Sequence, residues 1–158
     1  MKTLGSGALA PLFTLKNQQD EFILLETCLK QGPVLVYFYP KAATPGCTVQ
    51  ACGLRDSHND LKHLNITVLG ISPDPVAKLA RFADKQMLNF SLLSDEDHAV
   101  AEAFGVWGEK KFMGKVYDGI HRLSFLIGQD GKITQVFNKF KTKDHHEVVL
   151  NHLKETAL

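Results

Sequence analysis

A chain of 158 residues, 44% hydrophobic and 22% charged, is long enough to bury a core and ordinary in balance for a globular protein. Its formal net charge of +1, with acidic and basic residues interspersed, excludes the basic stripe of a nucleic-acid binder and a polybasic membrane segment. No apolar run approaches the roughly 18–20 residues that cross a bilayer, and Met1 to Ala10 holds no secretory apolar region. Residues 1–158 are therefore expected to form one domain in a reducing, cytoplasmic compartment.

In chain order, Phe13–Leu15 and Phe22–Leu24 flank a polar segment and predict a small N-terminal hairpin. Val34–Tyr39 is nearly all apolar or aromatic, the pattern of a strand buried on both faces. Cys47 to about His63 has helical spacing, and Ile66–Ser72 is a second buried strand. Asp74 is placed to cap, and Pro75 to open, a helix reaching about Gln86. Phe90–Leu93 is a short strand, and Ser94 or Asp95 starts a helix over His98–Phe104. Trp107–Gly119, rich in Gly and Lys, reads as a loop. His121–Ile127 and Lys132–Phe140 are strands joined through Asp130-Gly131, a hairpin signal, and Asp144 caps a closing helix from His145 to about Glu155. His145 and His146 read as solvated. The order predicts an α/β protein of the thioredoxin-like class: a central mixed sheet with helices on both faces, an N-terminal hairpin, and an insertion before the last hairpin. The unit Val34–Ser72 should be parallel with a right-handed crossover.

The three cysteines, Cys28, Cys47 and Cys52, are too few for a disulfide scaffold. Cys28 reads as a small buried residue ahead of the first core strand. Cys47 shares a helical face with Ala51, Leu54, His58 and Leu61, and so faces the core. Cys52, among Thr48, Arg55, Asp56 and Asn59, lies nearer solvent. Five helical residues separate two Cα atoms by about 8.7 Å, from a rise of ~7.5 Å and a rotation of ~140°. A disulfide needs about 7 Å or less, so these thiols can join only if the helix start unwinds. A helix N-terminus favours an anion, and a thiolate there can attack an electrophilic oxygen to give a sulfenic acid. Thr44 is placed to set a hydroxyl near the sulfur, and Pro40 to exclude water. On spacing alone, a redox pair and an incidental pair stay equally open. Zinc is disfavoured, because Cys47, Cys52, His58 and His63 lie along one helix and cannot converge on a tetrahedral centre.

The stretch Tyr39-Pro40-Lys41-x-x-Thr44-Pro45-Gly46-Cys47-Thr48 resembles the active site of peroxiredoxins. With Ala51-Cys52-Gly53-Leu54-Arg55-Asp56 attached, it is similar to their PrxQ or bacterioferritin comigratory protein subfamily. "VLGIS" at 68–72, "LLSDEDHAVAEAFGVWGEKKFMGKVYDGIHR" at 92–122 and "SFLIGQDGKI" at 124–133 extend the resemblance over essentially the whole chain. It implies a thioredoxin fold and thiol-dependent reduction of hydrogen peroxide and organic hydroperoxides, in a bacterial cytoplasm. By this resemblance Cys47 matches the peroxidatic cysteine and Cys52 the resolving cysteine that forms an intramolecular disulfide with it. Thr44 matches the hydroxyl that contacts sulfur and peroxide, Pro40 the residue that shields the thiolate, and Arg122 the arginine beside it. From sequence alone Arg122 reads as an edge-strand or surface residue.

The chain departs from the pattern at Ala42 and Ala43, where many relatives carry acids, and at Gln50, where many carry Glu. An amide at Gln50 can hydrogen-bond but cannot carry a proton between groups. The resemblance implies thioredoxin as reductant, with glutaredoxin as a second candidate, and a monomer or weak associate. No metal, haem or flavin is called for, because sulfur carries the electrons. The rival reading is a redox-switched sensor or holdase using the same disulfide. Thioredoxin-type disulfide exchange would require a Cys-x-x-Cys spacing that is absent here.

Overall fold

The computed structural model describes residues 1–156. Strands β1 (Thr14–Asn17) and β2 (Phe22–Leu24) form the expected hairpin, in the register Leu15 to Ile23. The Asn17 side chain closes it by accepting from the backbone N–H groups of Gln19 and Glu21. A short helix follows, α1 (Leu25–Gln31), which the sequence reading did not contain. Cys28 lies on it, half-buried against the core.

Strand β3 (Val34–Phe38) is buried at every position. Alternate residues therefore serve opposite faces. Leu35, Tyr37 and Tyr39 join one apolar cluster, and Val34, Val36 and Phe38 the other. Helix α2 (Pro45–Asp56) is followed at once by α3 (His58–His63). The single helix expected over Cys47–His63 thus opens two residues earlier and breaks at Ser57. Pro45 suits the first helical position, where no N–H is needed. Strand β4 (Thr67–Ser72) runs parallel to β3, and β5 (Ser91–Ser94) parallel to β4, with α4 (Val76–Lys85) between them.

Asp74 does not cap α4, whose N-cap is Pro75 without a side-chain bond. Asp95 does serve the next helix, α5 (Ala99–Phe104): its carboxylate accepts from the N–H groups of Val100 and Ala101. The expected loop at 107–119 is instead a hairpin, β6 (Trp107–Phe112) and β7 (Lys115–Ile120). Its turn residues Met113 and Gly114 both have positive φ, as a two-residue hairpin turn demands. Strand β8 begins only at Ser124 and runs to Ile127, leaving Arg122 just before it; β9 (Ile133–Phe137) and α6 (His145–Thr156) complete the chain.

The main sheet has seven strands in the order β2-β1-β5-β4-β3-β8-β9, and β6–β7 is a separate two-stranded sheet. One face carries the apolar residues of α2, α4 and α6, and the other those of α1 and α5. This is the mixed, doubly covered thioredoxin-like sheet expected. Among the described residues, no helix is long and apolar enough to cross a membrane.

Gly70, in the mostly buried β4, has a steric reason. A Cβ there would lie 2.8 Å from two ring carbons of Tyr37 and 2.9 Å from its hydroxyl oxygen. Tyr37 is 1% exposed and stacked on Tyr39 at 5.4 Å, so its ring has nowhere to go. Gly70→Ala should therefore cost about 1–3 kcal/mol through overpacking. An unchanged urea midpoint would show that the ring has room to shift.

Candidate active site

The site lies where β3 ends and α2 begins. β3 delivers the chain to Pro40, which is half-buried, and a tight loop of Lys41 to Thr44 turns into the helix. Ala43 in that loop sits at φ 66°, a left-handed conformation that strains a residue with a Cβ. The loop is anchored from the next strand connection. Buried Asp74 accepts from the Ala42 N–H at 2.7 Å and from the Ser72 hydroxyl at 2.8 Å. Asp74 therefore holds the loop that precedes the helix mouth rather than capping its own helix.

Thr44 is the N-cap of α2, but its side chain makes no capping bond; the hydroxyl donates to the Lys41 carbonyl at 2.8 Å. Its oxygen keeps acceptor lone pairs free. Cys47 is the third residue of the helix and 2% exposed, while Cys52 is half-exposed on the same unbroken helix. Both thiols are free. The two sulfurs thus occupy the core-facing and solvent-facing positions that helical spacing predicted.

Arg122 lies between β7 and β8, beside the end of β3, where the Phe38 N–H donates to the carbonyl of its neighbour Leu123 at 2.8 Å. Its Nη2 donates to Cys47 Sγ at 3.3 Å, and its Nη1 donates to Gln50 Oε1 at 2.6 Å. Gln50 is fully buried, so the amide fixes one arm of the guanidinium fork while the other faces sulfur. A Cβ on Gly46 would lie 3.8 Å from Arg122 Nη2 and 3.5 Å from the Thr142 methyl, which places the loop before α6 against the first turn of α2.

A second cation shares this region. Lys110 on β6 is half-buried, and its Nζ donates to the Ile120 carbonyl at 2.7 Å. Burial pushes its ammonium down and Arg122 adds to that, while the field of Cys47 pulls it up. Sequence reasoning missed Lys110, because nothing in a lysine-rich segment marks the one that folds inward.

Cys52 is tied to α4. Its thiol donates to Gln86 Oε1 at 3.5 Å, and neighbouring Arg55 donates to the Gln86 carbonyl at 2.7 Å. Asn89 in turn donates to the Arg55 carbonyl at 3.1 Å.

Helix α6 buttresses α2 from the other side, and here the sequence reading is corrected. His145 is fully buried, not solvated; its Nε2 lies 2.6 Å from the Ser124 hydroxyl, and its ring packs 4.5 Å from that of Phe140. A histidine pair at the start of an amphipathic helix looks polar in sequence, but its first member falls on the packed face. Burial holds its pKa down to about 3, with His146 and Arg122 contributing. Below pH about 6.5 the unfolded chain takes a proton that folded His145 refuses. Stability from this group is therefore present above that pH and is lost as the pH falls toward about 3, at up to about 1.4 kcal/mol per pH unit. Comparing urea unfolding at pH 7 and pH 5 should show a smaller loss in His145→Asn than in the parent. Equal losses would mean that the imidazole is protonated in the fold.

Residues 6–136 match the AhpC/TSA family. The chain belongs to this family. It is 63% identical over 157 residues to Peroxiredoxin Bcp of Escherichia coli K12, covering 99% of this chain and 100% of that one. Among solved structures it is similar to Xylella fastidiosa PrxQ, with a TM-score of 0.90, 30% identity, and 100% and 99% of the two chains covered. It is also similar in form to the bacterioferritin comigratory protein of Xanthomonas campestris, a protein with alkyl peroxide reduction activity. There the TM-score is 0.87 at 31% identity, over 99% and 98% of the chains. This peroxiredoxin is thus of the Bcp and PrxQ type, as the resemblance in its sequence implied.

Proposed function

We propose that this peroxiredoxin reduces hydrogen peroxide and alkyl hydroperoxides through Cys47, with Cys52 as the resolving thiol and thioredoxin as the reductant. The observation that carries the reading is the Arg122 guanidinium 3.3 Å from a sulfur in the first turn of α2. A cation and a helix N-terminus together favour the thiolate, which is the nucleophile. The thiolate attacks the distal peroxide oxygen. The O–O bond breaks, and water or an alcohol leaves after taking up a proton. Arg122 steadies the charge on both oxygens, Thr44 accepts from the peroxide hydroxyl, and Pro40 keeps bulk water off the sulfur.

The sulfenic acid then condenses with the Cys52 thiol, releasing water and forming the S–S bond. With α2 wound, the two Cα atoms are about 8.7 Å apart, too far for that bond. The helix start must unwind, and the Cys52–Gln86 contact must part. A dithiol restores both thiols by exchange. The site is assembled within one chain, which supports action as a monomer.

Treating Cys52→Ser with one equivalent of peroxide should consume it once and leave Cys47 as sulfenic acid, read as a gain of one oxygen by mass spectrometry. The parent should instead lose two hydrogens. Sustained turnover of Cys52→Ser, with thioredoxin as the sole reductant, would remove Cys52 from the scheme.

A further inference from the structure

A cleft of about 400 Å³ lies between α4 and the loop and first turn that open α2, lined there by Ala42, Ala43 and Thr48. Its floor includes buried Phe82, and its rim carries Lys78, Arg81 and Lys85. Among the described residues, no carboxylate lines it. The three cations stand at i, i+3 and i+7 of α4 and so project from one side of that helix. Lys78 lies 4.0 Å from Asp74, whose other oxygen is engaged by Ala42 and Ser72. Among the described residues, Arg81 and Lys85 have no ion-pair partner. In a chain of net charge +1, this is a local positive field rather than a generally basic surface.

The cleft also touches the sulfur chemistry. Gln86 lines it, and the same side chain accepts from the Cys52 thiol. Unwinding α2 frees Cys52 at the cleft's edge. From Lys78 to Lys85 the charges extend over about 10 Å of helix, the scale of a protein face rather than of one carboxylate.

We propose that this cleft is where the reductant docks, and that it selects a dithiol protein with acidic residues around its reactive thiol. The inference rests on the reading of Cys47 and Cys52 given above. The docked thiolate attacks Cys52 Sγ of the disulfide. The S–S bond breaks, and Cys47 leaves as a thiolate beside Arg122. The second thiol of the partner then attacks the mixed disulfide and frees Cys52. The partner loses two electrons and two protons, and the peroxiredoxin gains them.

The test uses the full chain, oxidised with peroxide until mass spectrometry shows the Cys47–Cys52 disulfide. Its reduction is followed by stopped flow with an acidic thioredoxin, with glutathione, and with uncharged dithiothreitol. Arg81→Glu/Lys85→Glu should react with thioredoxin at least about tenfold more slowly than the parent at low salt. The parent's rate should fall as salt rises to about 0.15 M, where the Debye length shrinks to about 8 Å. With dithiothreitol the two proteins should react alike. Arg81→Gln/Lys85→Gln should fall between them with thioredoxin. Equal thioredoxin rates, or a parent rate insensitive to salt, overturn the proposal. So does a charge dependence seen with glutathione alone, which would make the cleft a small-anion site. Failure to form the disulfide at all, visible before any reductant is added, overturns the functional reading and this inference with it.

Discussion

Cys47→Ser is expected to abolish peroxide consumption, by at least about 10³-fold in the second-order rate constant. The replacement is nearly isosteric, and residue 47 is buried in the first turn of α2, so the fold should survive. Chemistry is what is lost. A serine hydroxyl stays protonated at neutral pH and has no sulfenic state to enter. The helix dipole and Arg122 would still face the position, but with no anion to stabilise. Competition for limiting peroxide against a reporter enzyme gives the rate, and thermal melting shows whether the variant is folded. A folded Cys47→Ser that still consumes peroxide would place the reaction on another sulfur.

Arg122→Met is the next largest effect. A hydrogen bond to a charged group is worth about 1.5–3 kcal/mol, which corresponds to roughly 10- to 150-fold in rate. The loss should exceed that of one bond, because two arms of the guanidinium are committed in different directions, one to Cys47 and one to Gln50. Arg122→Lys should rescue only part of it: an ammonium supplies charge but not the planar fork. The thiolate absorbance of the reduced protein, followed against pH, separates the two contributions. If Arg122 only braces Gln50, peroxide reduction slows while the thiolate titration stays in place. A rate within twofold of the parent would reduce Arg122 to a packing residue.

The arrangement around the helix mouth shows how a short motif depends on distant chain. The loop from Lys41 to Thr44 is pinned by Asp74, 32 residues later, and the guanidinium reaches the sulfur from 75 residues away. Gln50 matters here through hydrogen bonding rather than proton transfer. Its carbonyl oxygen accepts from Arg122 and orients it, a role that needs an acceptor but not a titratable group.

The sequence by itself determined the parts governed by local chemistry and periodicity. The apolar run at 34–39 required a strand buried on both faces. The alternation of strands and helices required a mixed sheet, and the residues from Tyr39 to Asp56 marked a thiol at a helix start with a second thiol out of bonding reach. Tertiary structure decided the rest. Helix α1 escaped because seven residues with only Leu25 and Leu29 buried carry almost no periodic signal. The hairpin β6–β7 escaped because it is largely solvent-exposed, so no buried face imposes an alternation on its residues. Arg122 was legible only through the family resemblance, and which carboxylate holds the loop and which histidine is buried were not legible at all, because these depend on contacts between residues far apart in the chain, and local sequence holds no record of those distances.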